Sequence, residues 1–198
     1  MGLIFKFAST KEDFEKIYEV RHKILVKEEG FIPCTIEMES EDNAIHLMAI
    51  RDGKTVGVIT LILDDGRGLP IEEYFDLAHI KKSRRAAEFR RFAVLPKEKG
   101  TETSVGLMTL AYEVAKKKGV KLIFIDLFKR KERDQKTYER MGFKMIGGYQ
   151  VFNSEIVIMG LDIDKDAVYE ISKEKAARRK VFVESLNKSP ELKAFLTD

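Results

Sequence analysis

Cysteine occurs once in this chain of 198 residues, at Cys34, so no internal disulfide can form and a reducing, cytoplasmic setting is expected. Histidine is almost as scarce. His22, His46 and His79 stand far apart with no metal-ligand spacing, and no metal site is expected. No run of 18 apolar residues is present, so no membrane-spanning helix is expected. The opening "MGLIFKFAST" is too short and too charged for a signal peptide, and Lys6 stands where a myristoylation signal needs Ser or Thr. An excess of one charge is missing too: 36 basic residues face 33 acidic ones, a net charge of +3. That balance does not point to nucleic acid, and the basic runs lack the interleaved aromatics that single-strand binding uses. Internal repeats and low-complexity segments are also lacking.

What is present is material for a core. The sequence is 44% hydrophobic and 35% charged, enough to bury a folded interior and stay dissolved. "LIFKFAST" reads as a strand ending in an N-cap at Ser9 or Thr10. Phe14, Ile17, Val20, Ile24 and Leu25 follow at helical spacing, with Gly30 as the stop. "FIPCTIEMESEDNA" is irregular. "IHLMAIRDGKTVGVITLIL" predicts two strands joined at Asp52-Gly53. Residues 64–85 read as a charged loop with a short helix around "PIEEYFDL". A strand in "AAEFRRFAVLP", a helix in "SVGLMTLAYEVAKKKG" and a strand in "VKLIFIDLF" come next. The nearly all-apolar character of that last strand suits burial on both faces. A short helix, "ERDQKTYERMGF", and a strand pair, "KMIGGYQVF" and "SEIVIMGLDI", complete a mixed sheet with helices packed on it, an α/β (α+β) architecture. From Asp164 the character changes to a basic amphipathic helix and a second one in "SPELKAFL", with Ser189 as N-cap and Pro190 at its first position. The chain thus divides into residues 1–163 and a C-terminal helical extension, 164–198.

Three features carry chemistry. Glu88 is a charge inside the apolar strand "AAEFRRFAV", which suits a general base or, alternatively, an ion pair with Arg90 on the same strand face at i+2. Arg91, three residues on, faces the other way unless a bulge intervenes. Arg21 on the first helix either binds a carboxylate bidentately or is solvated. A Cys34–Asp42–His46 nucleophile arrangement has nothing to fix its geometry, so Cys34 reads as a small apolar thiol and His46 as a loop histidine.

The order of elements over residues 3–163, ending in "TYERMGF", resembles the GCN5-related N-acetyltransferase superfamily and its Tyr-x-x-x-Gly-Phe ending. The resemblance implies that fold, with an acyl-donor loop after the fourth strand patterned Arg/Gln-x-x-Gly-x-Gly/Ala. Glycines in such a loop let backbone N–H groups close on the pyrophosphate of CoA at a helix N-terminus. Here the loop reads Lys99-Gly100-Thr101-Glu102-Thr103-Ser104, with Glu102 and Ser104 in place of glycines, and Lys131 aligns near an asparagine that contacts the cofactor. One branch departs in this way: the acyl-homoserine lactone synthases and long-chain N-acyl amino acid synthases, which take acyl groups from acyl carrier protein. Its Glu-x-Ser-Arg-Phe motif is similar to "EFRRF", that is Glu88, Arg91 and Phe92, with Arg90 in the serine position. Arg21, Phe31, Glu39 and Asp42 match its first-helix and acidic positions, with Phe31 standing for a usual tryptophan and Glu39 for an aspartate.

The resemblance implies an N-acyltransferase with no permanently bound cofactor, whose partners are an acyl-phosphopantetheine donor on acyl carrier protein and a small amine acceptor such as an amino acid. Glu88 would be the base, Tyr138 the acid for the leaving thiol, and Arg91 an orienting residue. Phe92, Ala93, Val94, Lys99, Gly100 and Ser104 would hold the donor, with the N–H groups of 92–94 receiving the oxyanion; Arg21, Phe31 and Asp42 would hold the acceptor. The Met108, Leu110, Ile123, Phe124 and Phe128 region either lines an acyl slot or makes core. The basic runs at 81–85, 128–133 and 173–180 either steer an acidic carrier protein or are solvated. Two alternatives stay open: an acetyl-CoA-dependent N-acetyltransferase, and a non-catalytic acyl or carrier-protein binding module.

Overall fold

The computed structural model describes residues 2–31, 43–165, 184 and 188–197. The strands are β1 (Leu3–Phe7), β2 (Ala44–Arg51), β3 (Lys54–Leu63), β4 (Ala86–Val94), β5 (Leu122–Phe128), β6 (Lys144–Val151) and β7 (Ser154–Asp162). The helices are α1 (Lys11–Arg21), α2 (Ala78–Lys81), α3 (Glu102–Lys117), α4 (Glu132–Arg140) and α5 (Pro190–Thr197). The strands form a mixed sheet ordered β1-β2-β3-β4-β5-β7-β6. β4 and β5 are parallel, whereas β1–β2, β5–β7 and β6–β7 are antiparallel. The predicted last pair is present, with β7 inserted between β5 and β6. The β4–β5 ladder joins Ala86–Glu88 to Leu122–Phe124, while β4 runs on to Val94.

The chain forms two compact units: Met1–Leu61, Arg91–Val114 and Ser172–Asp198 make the first, and Ile62–Arg90 and Ala115–Ile171 the second. In the first unit α1 starts at a capping box. The Thr10 hydroxyl accepts from the Asp13 N–H, and the Asp13 carboxylate accepts from the N–H groups of Ser9 and Thr10 and from Lys6 Nζ. Past Arg21 the predicted helix widens into a π-helical stretch, His22–Glu28, in which the Glu29 N–H reaches back to the Ile24 carbonyl. Gly30, at φ 79°, ends it as expected. Ile17, Val20, Ile24 and Leu25 bury against Met48, Val58 and Ala93, and each such side chain contributes about 1.5–3 kcal/mol on leaving water.

The β2–β3 turn has Asp52 at φ 52° and Gly53 at φ 79°, the left-handed pair that a two-residue hairpin requires. Gly106 on α3 faces Phe5, and a Cβ there would overlap the ring, so β1 and α3 approach only because the side chain is missing. Helix α5 begins where expected, with the Ser189 carbonyl accepting from the Lys193 N–H, and its Phe195 meets Phe7 edge-on at 5.3 Å. The basic segment 173–180 lies outside the described residues.

In the second unit the charged loop 64–85 is tied down by its own ions. Lys81 Nζ lies 2.5 Å from Asp64 and 2.7 Å from Glu72, and Arg84 lies 2.6 Å from Asp162. Two cations of the 81–85 run are therefore structural.

The Asp13 carboxyl is 5% exposed; burial would raise its pKa, but Lys6 and the Ser9 and Thr10 amides outweigh this and hold it at about 2. Its folded value lies below its unfolded one, so its contribution is complete above about pH 4 and is lost as pH falls towards 2. Asp13→Asn is expected to cost roughly 2 kcal/mol at pH 7 by denaturant unfolding, and to flatten the acid limb of the stability profile.

Candidate active site

β4 supplies the charged residues, and it does so by breaking its own alternation. Arg91 adopts φ 52° inside the strand, a left-handed conformation that non-glycine residues avoid at a cost of order 1–3 kcal/mol. The opposite-face expectation for Arg91 in a regular strand therefore does not carry over. Glu88 is 1% exposed. Its Oε2 accepts the Ile71 N–H at 2.9 Å, and its Oε1 lies 3.3 Å from Arg90 Nε. The ion pair expected from the i+2 spacing is thus present, and it coexists with a backbone bond that the sequence did not announce. Ile71 sits in a short 3₁₀ turn, Pro70–Glu73, fastened by the Glu72 carboxylate on the Leu69 N–H at 2.7 Å.

In the same unit as Glu88, the Tyr149 hydroxyl donates to Asp126 Oδ2 at 2.5 Å, and its ring stacks on Tyr74 at 4.8 Å and 8°. Burial, then the charges of Asp126 and Glu88, raise the Tyr149 pKa, so the phenol stays protonated and acts as donor. Sequence reasoning missed this pair, although Asp126 was a visible signal: a carboxylate within the apolar "LIFIDLF". Tyr138 is half-buried on α4, edge-on to Phe143 at 5.6 Å. Ile123 and Phe124 are buried core, and Phe128 carries the Arg130 guanidinium 4.3 Å above its ring. Lys129, in the 128–133 run, pairs with Glu155 at 2.9 Å.

The first unit holds the other candidates. Arg21 is wholly buried, so its guanidinium is neither solvated nor presented on an open surface. Its Nη2 donates to Thr60 Oγ1 and lies 3.4 Å from His46 Nδ1, while Thr60 Oγ1 lies 2.8 Å from that same nitrogen. Arg21 Nη2 and the Thr60 hydroxyl can both donate to Nδ1, an arrangement that suits a neutral imidazole with its proton on Nε2. Burial first, then the charges of Arg21 and Arg91, lower the His46 pKa to about 4. His46 is therefore not a loop histidine: it lies on β2, edge-on to Phe14 at 5.6 Å. The electrostatic reach of Arg91 to His46 puts both arginines of the proposed motif in one unit.

Phe31 is half-buried against the α1 core, and its N–H donates to the Leu25 carbonyl at 2.9 Å. Asp42, with Glu39 and Cys34, lies outside the described residues. Phe92 is half-buried, and Ala93 and Val94 are buried. Met108 and Leu110 are buried core.

The loop between β4 and α3 binds itself. Lys99 and Gly100 are exposed, and the Gly100 N–H donates to Ser104 Oγ at 3.0 Å. The Thr101 N–H donates to the Glu98 carbonyl at 3.3 Å, and the Thr103 N–H to Thr101 Oγ1 at 3.2 Å. Glu102 does not project as a free charge: its Oε1 accepts from Arg51 Nη2 at 2.6 Å. Among the described residues there is no group of three or more His, Cys, Asp or Glu that could hold a metal ion, and no helix long and apolar enough to cross a membrane.

A mixed sheet of this order, with a charged fourth strand and a loop-to-helix turn after it, is the GCN5-related N-acetyltransferase fold. Solved structures agree on the fold. FeeM, an N-acyl amino acid synthase from uncultured soil microbes, superposes with a TM-score of 0.72 at 15% identity, over 82% of this chain and 92% of that one. A putative N-acetyltransferase from Lactobacillus plantarum matches with a TM-score of 0.61 at 17% identity, covering 82% and 99%. Arabidopsis thaliana NAA60 in complex with acetyl-CoA matches at 0.62 and 11%, covering 82% and 99%. No curated protein matches the chain. Residues 16–162 match the model of the N-acyl amino acid synthase FeeM family, and the chain belongs to that family. It is an N-acyltransferase, acting between an acyl donor and an amine acceptor.

Because the folded pKa of His46, about 4, lies below its ordinary 6.5, the unfolded chain binds more protons between those values. Its contribution to stability is complete above about pH 6.5 and falls by up to roughly 3 kcal/mol as pH drops towards 4. Denaturant unfolding across that range should show this slope in the native protein and a flatter one in His46→Gln.

Proposed function

We propose that the protein moves a long-chain acyl group from acyl carrier protein to the amino group of a small acceptor, such as an amino acid. The observation that carries the donor assignment is the loop from Lys99 to Ser104: the Gly100 and Thr103 N–H groups, which a pyrophosphate would need, already donate to Ser104 and Thr101 hydroxyls. A phosphopantetheine arm presented by a carrier protein brings no nucleotide diphosphate and needs no such cradle. The single Cys34 suits the reducing cytoplasm where such a donor would be met. Residues 1–163 form the catalytic domain in this reading and 164–198 an extension, in keeping with the family match ending at residue 162.

The reaction is direct attack without a covalent enzyme intermediate. The family resemblance assigns Arg21, Phe31 and Asp42 to the acceptor and Arg91 to orienting it. Glu88 removes a proton from the acceptor ammonium through a water molecule. The amine nitrogen bonds to the thioester carbonyl carbon, and the oxyanion so formed is met by the N–H groups of Phe92, Ala93 and Val94. The C–S bond then breaks, the departing thiolate takes the proton of the Tyr138 phenol, and the attacking nitrogen gives up its surplus proton to the Tyr138 phenolate. An amide and free pantetheine thiol result.

The rival donor is acetyl-CoA, as bound by the fold relative from Arabidopsis thaliana. Long-chain acyl carrier protein and, separately, acetyl-CoA would each be incubated with pooled amino acids and the products read by mass spectrometry. N-acyl amino acids from the carrier-protein donor alone are expected. Product from acetyl-CoA alone would overturn the proposal.

A further inference from the structure

The cation beside the donor loop is spoken for. Arg51, at the end of β2, donates from Nε to Glu98 Oε1 at 2.9 Å and from Nη2 to Glu98 Oε2 at 3.1 Å. The same Nη2 donates to Glu102 Oε1 at 2.6 Å and to Thr103 Oγ1 at 3.2 Å, and the Thr103 hydroxyl closes the ring on Glu98 Oε2 at 2.5 Å. Glu102 and Thr103 open α3, a helix of 16 residues. An arginine at the start of a long helix is the arrangement that attracts phosphate. Here one guanidinium faces two carboxylates, so the cluster of Arg51, Glu98 and Glu102 carries a net negative charge. These are charge-assisted contacts, one of them a bidentate fork, the hardest kind for an incoming anion to displace.

We propose that Arg51, Glu98 and Glu102 form a donor-selectivity clamp, in which the two carboxylates sequester the cation at the head of α3 and so turn away CoA without touching a bare pantetheine arm. This inference rests on the carrier-protein reading and names the residues that enforce it. Selectivity is then active exclusion by opposing charge, not merely the loss of glycines. Two consequences follow from the geometry. Neutralising both carboxylates frees Arg51 for phosphate while preserving side-chain volume, and neutralising Glu102 alone leaves the Glu98 fork in place and frees Arg51 only in part.

The test is calorimetric titration of the native chain, Glu98→Gln/Glu102→Gln and Glu102→Gln with two probes, CoA and 4′-phosphopantetheine. The expected result is a rise in CoA affinity, relative to that for 4′-phosphopantetheine, of at least about tenfold in the double variant and a smaller rise in the single one. A relative affinity unchanged in both variants, with thermal unfolding showing them folded, overturns the clamp. Should the double variant not fold, the single variant decides: an unchanged ratio there overturns the clamp too. The donor reading fails separately. Native protein that transfers from acyl-CoA as readily as from acyl carrier protein contradicts that reading, whereas native protein confined to carrier protein with no CoA gain in the variants contradicts only the clamp.

Discussion

A carboxylate taken out of water must be compensated, and the burial of Glu88 at the centre of β4 shapes the second unit around it. A buried ionised group costs several kcal/mol unless hydrogen bonds and charge replace its hydration. Glu88 receives one backbone N–H from Ile71 and the guanidinium of Arg90. The first of these demands that the segment after β3 fold back as a 3₁₀ turn, and the Asp64–Lys81–Glu72 ion network is what pins that turn. A stretch that looks in sequence like a solvated charged loop is thus a fitted support for one side chain. Asp126, Tyr149 and Tyr74 add a second polar group in the same unit, whose phenol is held protonated.

The first unit solves the opposite problem, a buried cation. Arg21 has no exposure, and Thr60 and the neutral His46 take its N–H groups at the end of α1. Arg91 joins the neighbourhood through a left-handed residue in mid-strand, and its charge is felt by His46. Strain and burial of this kind persist where the surrounding structure holds them, and they collect at functional sites. The neutral imidazole fits: a protonated one would set a third positive charge beside two arginines.

Much of this was legible in the sequence where local rules decide. Asp52-Gly53 requires two left-handed residues, and the hairpin follows; Thr10 and Asp13 make a capping box; the apolar spacing of Ile17, Val20, Ile24 and Leu25 finds the core. The family resemblance rested on "EFRRF" and "YERMGF", and the match over residues 16–162 upholds it. What escaped was set by tertiary contact. The widening of α1 after Arg21, the insertion of β7 between β5 and β6, and the pairing of Arg51 with Glu98 across a sequence gap of 47 leave no periodic trace. His46 was misplaced for a related reason: a polar residue at the edge of "IHLMAI" reads as loop until Thr60 and Arg21 supply its partners. Met108, Leu110, Ile123 and Phe124 proved to be core, as apolar residues in central elements usually are.

Glu88 is the proposed base, and the rest of the proposed mechanism turns on it. Single-turnover transfer from acyl carrier protein, compared between the native chain and Glu88→Gln, tests it most directly, because glutamine still accepts the Ile71 N–H but cannot take a proton. A fall in rate of about 100-fold or more is expected in a variant that thermal unfolding shows to be folded. A Glu88→Gln variant that turns over within a few-fold of the native rate would contradict it.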